Sequence, residues 1–169
     1  MADAIGEVTG LAPRLKWPND VQVDGRKVVG ILTELQGEAD RVDAVLVGIG
    51  INVNLPAAGF PPDLAETATS LRAAAGEPVD RARLAARLLA AMEARYGRFR
   101  SEGLRKMRSE WEALSSLSGA DVEVTANGQV ARGRAVGIDD DGALLLDRAD
   151  GRRQRVVAGE VTLRREVRG

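Results

Sequence analysis

Four dipeptides constrain the fold of this chain more than any other feature: Asp24-Gly25, Asn127-Gly128, Asp141-Gly142 and Asp150-Gly151. Each suits the positive φ of a tight hairpin turn, and each separates short stretches rich in Val, Ile and Leu. Antiparallel strands are therefore expected in two places. In the first, Val21 and Val23 lead into the Asp24-Gly25 turn, and Val28 to Leu35 lead out of it. In the second, Val122 and Val124, then Val130, Val136 and Ile138, then Leu144 and Leu146, then Val156, Val161 and Leu163 predict about five short strands, the size of a small SH3-like barrel.

Between these regions the period changes. Ala44 to Ile51 is a nearly continuous apolar run, which predicts a strand covered on both faces at the centre of a sheet, entered through a polar turn over Gln36 to Arg41. Ala4, Ile5 and Val8 predict a short helix ending at Gly10, and the proline-rich stretch Leu55 to Pro62 predicts a surface loop. Thr69 or Ser70 can cap a short helix ending near Gly76. Asp80 can cap a long one, with Leu84, Leu88, Met92, Tyr96 and Phe99 on one face, and a further helical segment follows from Gly103 to Leu114. The Ser115 to Gly119 stretch marks a boundary. The fold class is therefore read as α+β: a mostly antiparallel mixed sheet packed with helices over residues 1–116, followed by an SH3-like barrel over 117–169.

Composition narrows the chemistry. The 169 residues include neither Cys nor His, so disulfides, thiolate and imidazole metal sites, Cys nucleophiles and Ser-His-Asp arrangements are all excluded. What remains is Lys, Arg, Asp, Glu, Asn, backbone groups and oxygen-liganded cations such as Mg²⁺. Lys plus Arg number 24 against 25 Asp plus Glu, a net charge of -1 that singles out no partner. No apolar run approaches a membrane span and the N-terminus lacks the pattern of a secretory signal, so the cytoplasm is the expected compartment.

Three segments could carry chemistry. Lys16-Trp17-Pro18-Asn19-Asp20 gathers a cation, an indole, an amide and a carboxylate at a strand end, where Pro18 stops the ladder and turns Asn19 and Asp20 outward. The competing reading, of equal weight, is a polar turn with Trp17 packed in the core. Lys27 opens an otherwise apolar strand, either as an edge residue that deters aggregation or as a charge held beside a ligand carboxylate or phosphate. Gly30 permits close backbone approach or marks a bulge. Gly48-Ile49-Gly50-Ile51-Asn52 is only a G-x-G, which argues against a dinucleotide fingerprint, while Asn52 can serve a phosphate, a ribose or a local turn.

In order and wording these segments resemble the catalytic domain of biotin protein ligases, a class II aminoacyl-tRNA synthetase-like fold. The resemblance rests on Lys16 to Asp20, on Arg26-Lys27 with Gly30-Ile31-Leu32 and Glu34, and on Gly48 to Asn52 followed by Asn54-Leu55-Pro56. Ala68-Thr69-Ser70-Leu71 extends it, and the stretches from Gly137 and from Gly159 resemble the family's C-terminal barrel. It implies a ligase that joins biotin and MgATP as biotinyl-5′-adenylate and passes biotin to a lysine of the biotin carboxyl carrier protein of acetyl-CoA carboxylase. It implies Lys27 as the catalytic residue and Asn19 and Asp20 at the nucleotide and its Mg²⁺. The wider binding set would be Lys16, Trp17, Gly30, Ile31, Leu32, Ile49, Ile51, Asn52 at the ATP phosphates, and Arg164 reaching from the barrel. Family members often dimerise through the catalytic sheet, so a homodimer is implied as well.

One departure bears on activity. The family's domain begins earlier, with a biotin-contacting segment and a Gly-Arg-Gly-Arg-x-x-Arg loop that do not occur here, so the chain reads as N-terminally truncated. Arg132-Gly133-Arg134 echoes that loop only superficially and is expected on an exposed barrel strand. The alternative function is accordingly an inactive or incomplete fragment that at most binds a carrier or partner. With no winged helix-turn-helix, and with the C-terminal arginines read as a solvated barrel face, no nucleic-acid binding is expected.

Overall fold

A computed structural model of the chain describes residues 1–38, 41–126 and 128–163. They fall into two compact units, one made of Met1–Arg14 and Asn19–Ala91, the other of Leu15–Pro18 and the chain from Met92 onward. The architecture is α+β, with an antiparallel sheet in each unit.

In the first unit, helix α1 (Ala2–Thr9) buries Ala2, Ala4 and Ile5 and ends, as the sequence predicts, at Gly10 in the left-handed conformation. Strand β2 (Asp20–Val23) turns at Asp24 and Gly25, both at positive φ, into β3 (Arg26–Glu38). This is the hairpin expected of an Asp-Gly pair. Strand β4 (Arg41–Ile51) pairs antiparallel with β3 over almost its whole length. Opposed residues share a face, so Asp20, Gly30 and Gly50 lie on one side and Val21, Val29 and Ile51 on the other.

Two expectations about this sheet fail. Of the polar stretch 36–41, Gln36 to Glu38 and Arg41 are strand, with Gln36 paired to Ala44 and Glu38 to Arg41 across a bulge at Gly37, and 39–40 lie outside the described residues. And β4 is not a covered central strand: it is the last strand in the order β2-β3-β4. Residues Arg41 to Gly48 are exposed, with Val42, Val45, Leu46 and Val47 open to solvent, as are Leu32 and Leu35 on the paired strand. An apolar run shows that a strand can be buried on both faces, but burial needs covering layers, and the described residues place none there.

Past the loop, which holds a single turn of 3₁₀ helix at Ala57–Gly59, Ser70 accepts a hydrogen bond from Ala73 N–H (3.0 Å) and starts α2 (Leu71–Ala75), closed by Gly76. Helix α3 (Arg81–Leu114) starts at Asp80, whose Oδ1 accepts from Ala82 and Arg83 N–H at 2.9 and 3.0 Å. Leu84 and Leu88 are buried as the spacing predicts, whereas Met92, Tyr96 and Phe99 are exposed. Gly103 (φ 72°, ψ 171°) breaks the helix, and Arg95 and Arg98 on one arm meet Glu110 on the other.

The second unit holds the barrel strands β5 (Asp121–Ala126), β6 (Gln129–Ile138), β7 (Leu144–Asp147), β8 (Arg153–Val156) and β9 (Glu160–Leu163), in the order β8-β7-β6-β5-β9. Leu117, Val122, Val124, Leu144, Leu146 and Val161 form its core together with Trp17. The indole is 5% exposed and donates from Nε1 to Gly142 O (3.0 Å). Strand β1 (Arg14–Lys16) leads into it, and Leu15 O accepts from Ser116 N–H at 2.8 Å. Arg132-Gly133-Arg134 lies on β6 with both arginines exposed and paired to Glu123 and Asp121. No helix of the described residues is long and apolar enough to cross a membrane.

Trp17→Ala removes the largest side chain of this core and is expected to lower the stability of the barrel unit by about 3–5 kcal/mol, measured by hydrogen exchange of the β5–β7 amides. A second prediction concerns pH. Hydrogen bonds from Arg98 and Arg95 hold the Glu110 carboxyl at about 2, below its ordinary 4.5. Its stabilising effect is complete above the ordinary value and is lost as pH falls towards 2. Acid titration followed by near-UV circular dichroism should show that loss, and Glu110→Gln should abolish it.

Candidate functional site

The residues around Lys27 are fixed by backbone before any side chain matters. Where β4 ends, Asn52 N–H donates to Val28 O (2.9 Å), and the segment Thr67–Thr69 takes over the same edge of β3: Lys27 N–H donates to Thr67 O (2.8 Å) and Thr69 N–H to Lys27 O (2.9 Å). The Asn52 amide joins the two pieces by donating to Thr69 O (3.2 Å), and Leu71 N–H donates back to Asn52 O (2.9 Å). Lys27 is therefore not on an open edge, and the reading of it as a deterrent to edge aggregation falls.

Its side chain lies over Gly30. A Cβ built on Gly30 would come within 3.1 Å of Lys27 Cε and 3.2 Å of Nζ, so any other residue there would crowd the end of the lysine. The ammonium ends 2.6 Å from Asp20 Oδ1, with the Lys27 side chain 46% exposed and that of Asp20 19% exposed. Asn19 braces the pair from the neighbouring position: its side-chain amide donates to Ile31 O and its backbone carbonyl accepts from Ile31 N–H, both at 2.9 Å.

Beyond Gly30 the same face continues through Gly50, opposite Gly30, and Gly48, opposite Leu32. A Cβ at either glycine would touch nothing closer than a backbone oxygen at 3.8 Å. The result is a side-chain-free floor with a cation at one end and exposed Leu32 beside it. A flat, partly apolar ligand bearing an anionic end fits such a surface.

The sequence reading named Lys27, Asn19, Asp20, Gly30, Leu32 and Asn52, and the fold brings these together. Ile31, Ile49 and Ile51 share the opposite face with buried Val21 and Val29, so only their backbones border the floor. Gly48 and Gly50 belong to a motif that carries the family resemblance but stand outside the binding set, which takes Ile49, Ile51 and Asn52 from it. The signal was the strict alternation Gly48-Ile49-Gly50-Ile51, which in a strand puts both glycines on one face. Trp17 is corrected: its indole is spent in the barrel core and offers no ligand face. Lys16 belongs with it to the second unit, and Arg164 lies outside the described residues.

A divalent cation has a narrow donor set here. Among the described residues no three acidic side chains gather to hold a metal. Asp20, whose buried carboxylate oxygen has no partner among the described residues besides the Lys27 ammonium, and neighbouring Asn19 form a one-carboxylate set. That suits Mg²⁺, which keeps most of its coordination for water and phosphate oxygens.

Comparison with known proteins decides the family. Residues 1–52 match the model of the biotin/lipoate A/B protein ligase family, and residues 117–164 that of the biotin protein ligase C-terminal domain. The biotin–[acetyl-CoA-carboxylase] ligase of Paracoccus denitrificans is 36% identical over 162 residues, 94% of this chain and 67% of that protein. The chain belongs to the biotin protein ligase family. The bifunctional ligase/repressor BirA of Bacillus subtilis is 41% identical over 89% of this chain and 46% of its own length. The chain thus spans about half the length of some of the ligases it matches. Among solved structures, the apo biotin protein ligase of Aquifex aeolicus superposes with a TM-score of 0.85 at 29% identity, over 96% of this chain and 70% of that one. The same ligase in complex with biotin and ATP gives 0.82 at 29% identity, over 98% and 67%.

Gly30→Ala should shift the end of the Lys27 side chain beside Asp20 while changing overall stability by under about 1 kcal/mol, because the displaced atoms end a flexible chain. Chemical unfolding and an NMR comparison of the Lys27 Hε and Asp20 Hβ shifts check both parts.

Proposed function

We propose that this chain carries the ligand-binding floor of an ATP-dependent biotin–protein ligase, with residues 1–116 as a partial catalytic domain and 117–169 as the C-terminal barrel. The observation that carries the reading is the Lys27 ammonium held over a floor of glycines. Biotin would lie on Gly30, Gly48 and Gly50 with Leu32 against its apolar part and its carboxylate at Lys27. A carboxylate oxygen of biotin attacks the α-phosphorus of ATP, the bond to the bridging oxygen breaks, and pyrophosphate leaves. No side chain need act as nucleophile, which suits a chain without His or Cys. The reaction needs alignment of two anions and relief of their repulsion, and Lys27 supplies the charge between them. Mg²⁺ held by Asp20 and Asn19 would neutralise phosphate charge. In the second step a carrier lysine amine attacks the biotinyl carbonyl and AMP departs. The carrier implied by the family relatives is the biotin carboxyl carrier protein of acetyl-CoA carboxylase, and the cytoplasm is its compartment.

A second reading is favoured by the bare outer edge of β4 and the exposed Leu35, Val42 and Val45. In it the chain docks a partner, or a second copy as a homodimer, through this sheet and does not catalyse alone. Calorimetric titration of the full chain, first with biotin and then with MgATP, separates the readings. Binding of both supports the ligase, and a folded chain that binds neither supports the docking role. In the ligase case Lys27→Met should lower biotin-dependent pyrophosphate exchange by about 10²-fold or more in protein that circular dichroism shows to be folded.

A further inference from the structure

The Asp20–Lys27 pair has a consequence beyond the binding of biotin and ATP. Lys27 is the charge a ligand's carboxylate or phosphate needs, and Asp20 is the carboxylate beside it that a divalent cation could use. In the free protein these two groups are spent on each other, 2.6 Å apart. Asp20 Oδ1 is buried, and among the described residues the ammonium is its one compensating partner. Neither backbone can shift to relieve the competition: Lys27 is hydrogen-bonded to Thr67 and Thr69, and Asp20 is paired with Gly30 on β3.

We propose that Asp20 is a placeholder anion, a positioning residue that keeps Lys27 over Gly30 until a ligand anion takes the ammonium and thereby frees the carboxylate for a divalent cation. The proposal rests on the ligase reading in naming the anion. It needs no covalent step, only an exchange of partners between four charges. The ammonium moves from Asp20 to the incoming anion, and Asp20 moves from the ammonium to the incoming cation. Each exchange makes the other more favourable, so anion and cation binding are reciprocally coupled. Such a device keeps a lone cation off the site and keeps Lys27 in place.

The test is Mn²⁺ binding to the full chain, followed by electron paramagnetic resonance, with biotin as an anion that chelates Mn²⁺ poorly. Lys27→Met, without biotin, should bind Mn²⁺ at least fivefold more tightly than the unaltered chain, and Asp20→Asn should lose that binding in both backgrounds. Biotin should tighten Mn²⁺ binding to the unaltered chain and leave Lys27→Met unmoved. Equal Mn²⁺ affinity in the unaltered chain and Lys27→Met overturns the proposal, with circular dichroism showing that each variant is folded. The functional reading fails separately: if Lys27→Met gains Mn²⁺ affinity while biotin binds to no form, the placeholder stands and biotin is the wrong anion.

Discussion

The site depends on one backbone constraint, the clamp of Lys27 between Thr67 O and Thr69 N–H. Strand β4 pairs with β3 only as far as Asn52, and without the returning segment Lys27 would occupy a frayed end whose side chain could sample many rotamers. The clamp closes a loop of about forty residues, an entropic cost that grows only slowly with length. What holds it closed is not local to it. Ser70 donates to Leu55 O, Asn54 takes the Val79 N–H and gives its amide to Val79 O, and buried Leu71 fixes the segment from below. A short polar ladder thus lets a flexible lysine act as a placed charge.

The same sheet shows what happens where no such clamp exists. Beyond Gly30 and Gly50 the two strands run on as a ribbon, with leucines and valines bare on both sides. The two strands are paired with each other while their side chains remain in water, the reverse of the usual order in which burial justifies the strand. The alternation that makes the floor smooth at Gly48 and Gly50 is the alternation that leaves Val45 and Val47 without cover on the other side.

Much of this was legible in the sequence. The turn at Asp24-Gly25, the caps at Ser70 and Asp80, the stop at Gly10 and the barrel strands follow from local rules that act within a few residues, while Asn127 of the expected Asn-Gly turn lies outside the described residues. Lys27, Asn19, Asp20 and Asn52 could be singled out because polar groups beside apolar strands are costly without a purpose. What stayed hidden was non-local. The exposure of β4 depends on layers that a single strand's pattern does not report, and the brace on Lys27 comes from residues forty positions away. The fate of Trp17 was undecided because an indole next to a lysine and an amide reads equally as ligand platform or as core. Its Nε1 bond to Gly142 O, 125 residues on, settles the matter.

That indole has a further meaning for how the polypeptide can be divided. The residues Leu15–Pro18 belong to the second unit, yet they interrupt the first, so the chain passes from one unit to the other more than once. The stretch matching the C-terminal domain begins at residue 117, but the hydrophobic interior of that barrel is completed by a side chain at position 17. A cut at 116 yields a barrel with a hole where an aromatic ring belongs, and an upstream piece carrying that ring with nothing to cover it. Modularity in sequence and autonomy in folding therefore part company here. A recombination event that exchanges the barrel alone must also supply a new plug for its centre.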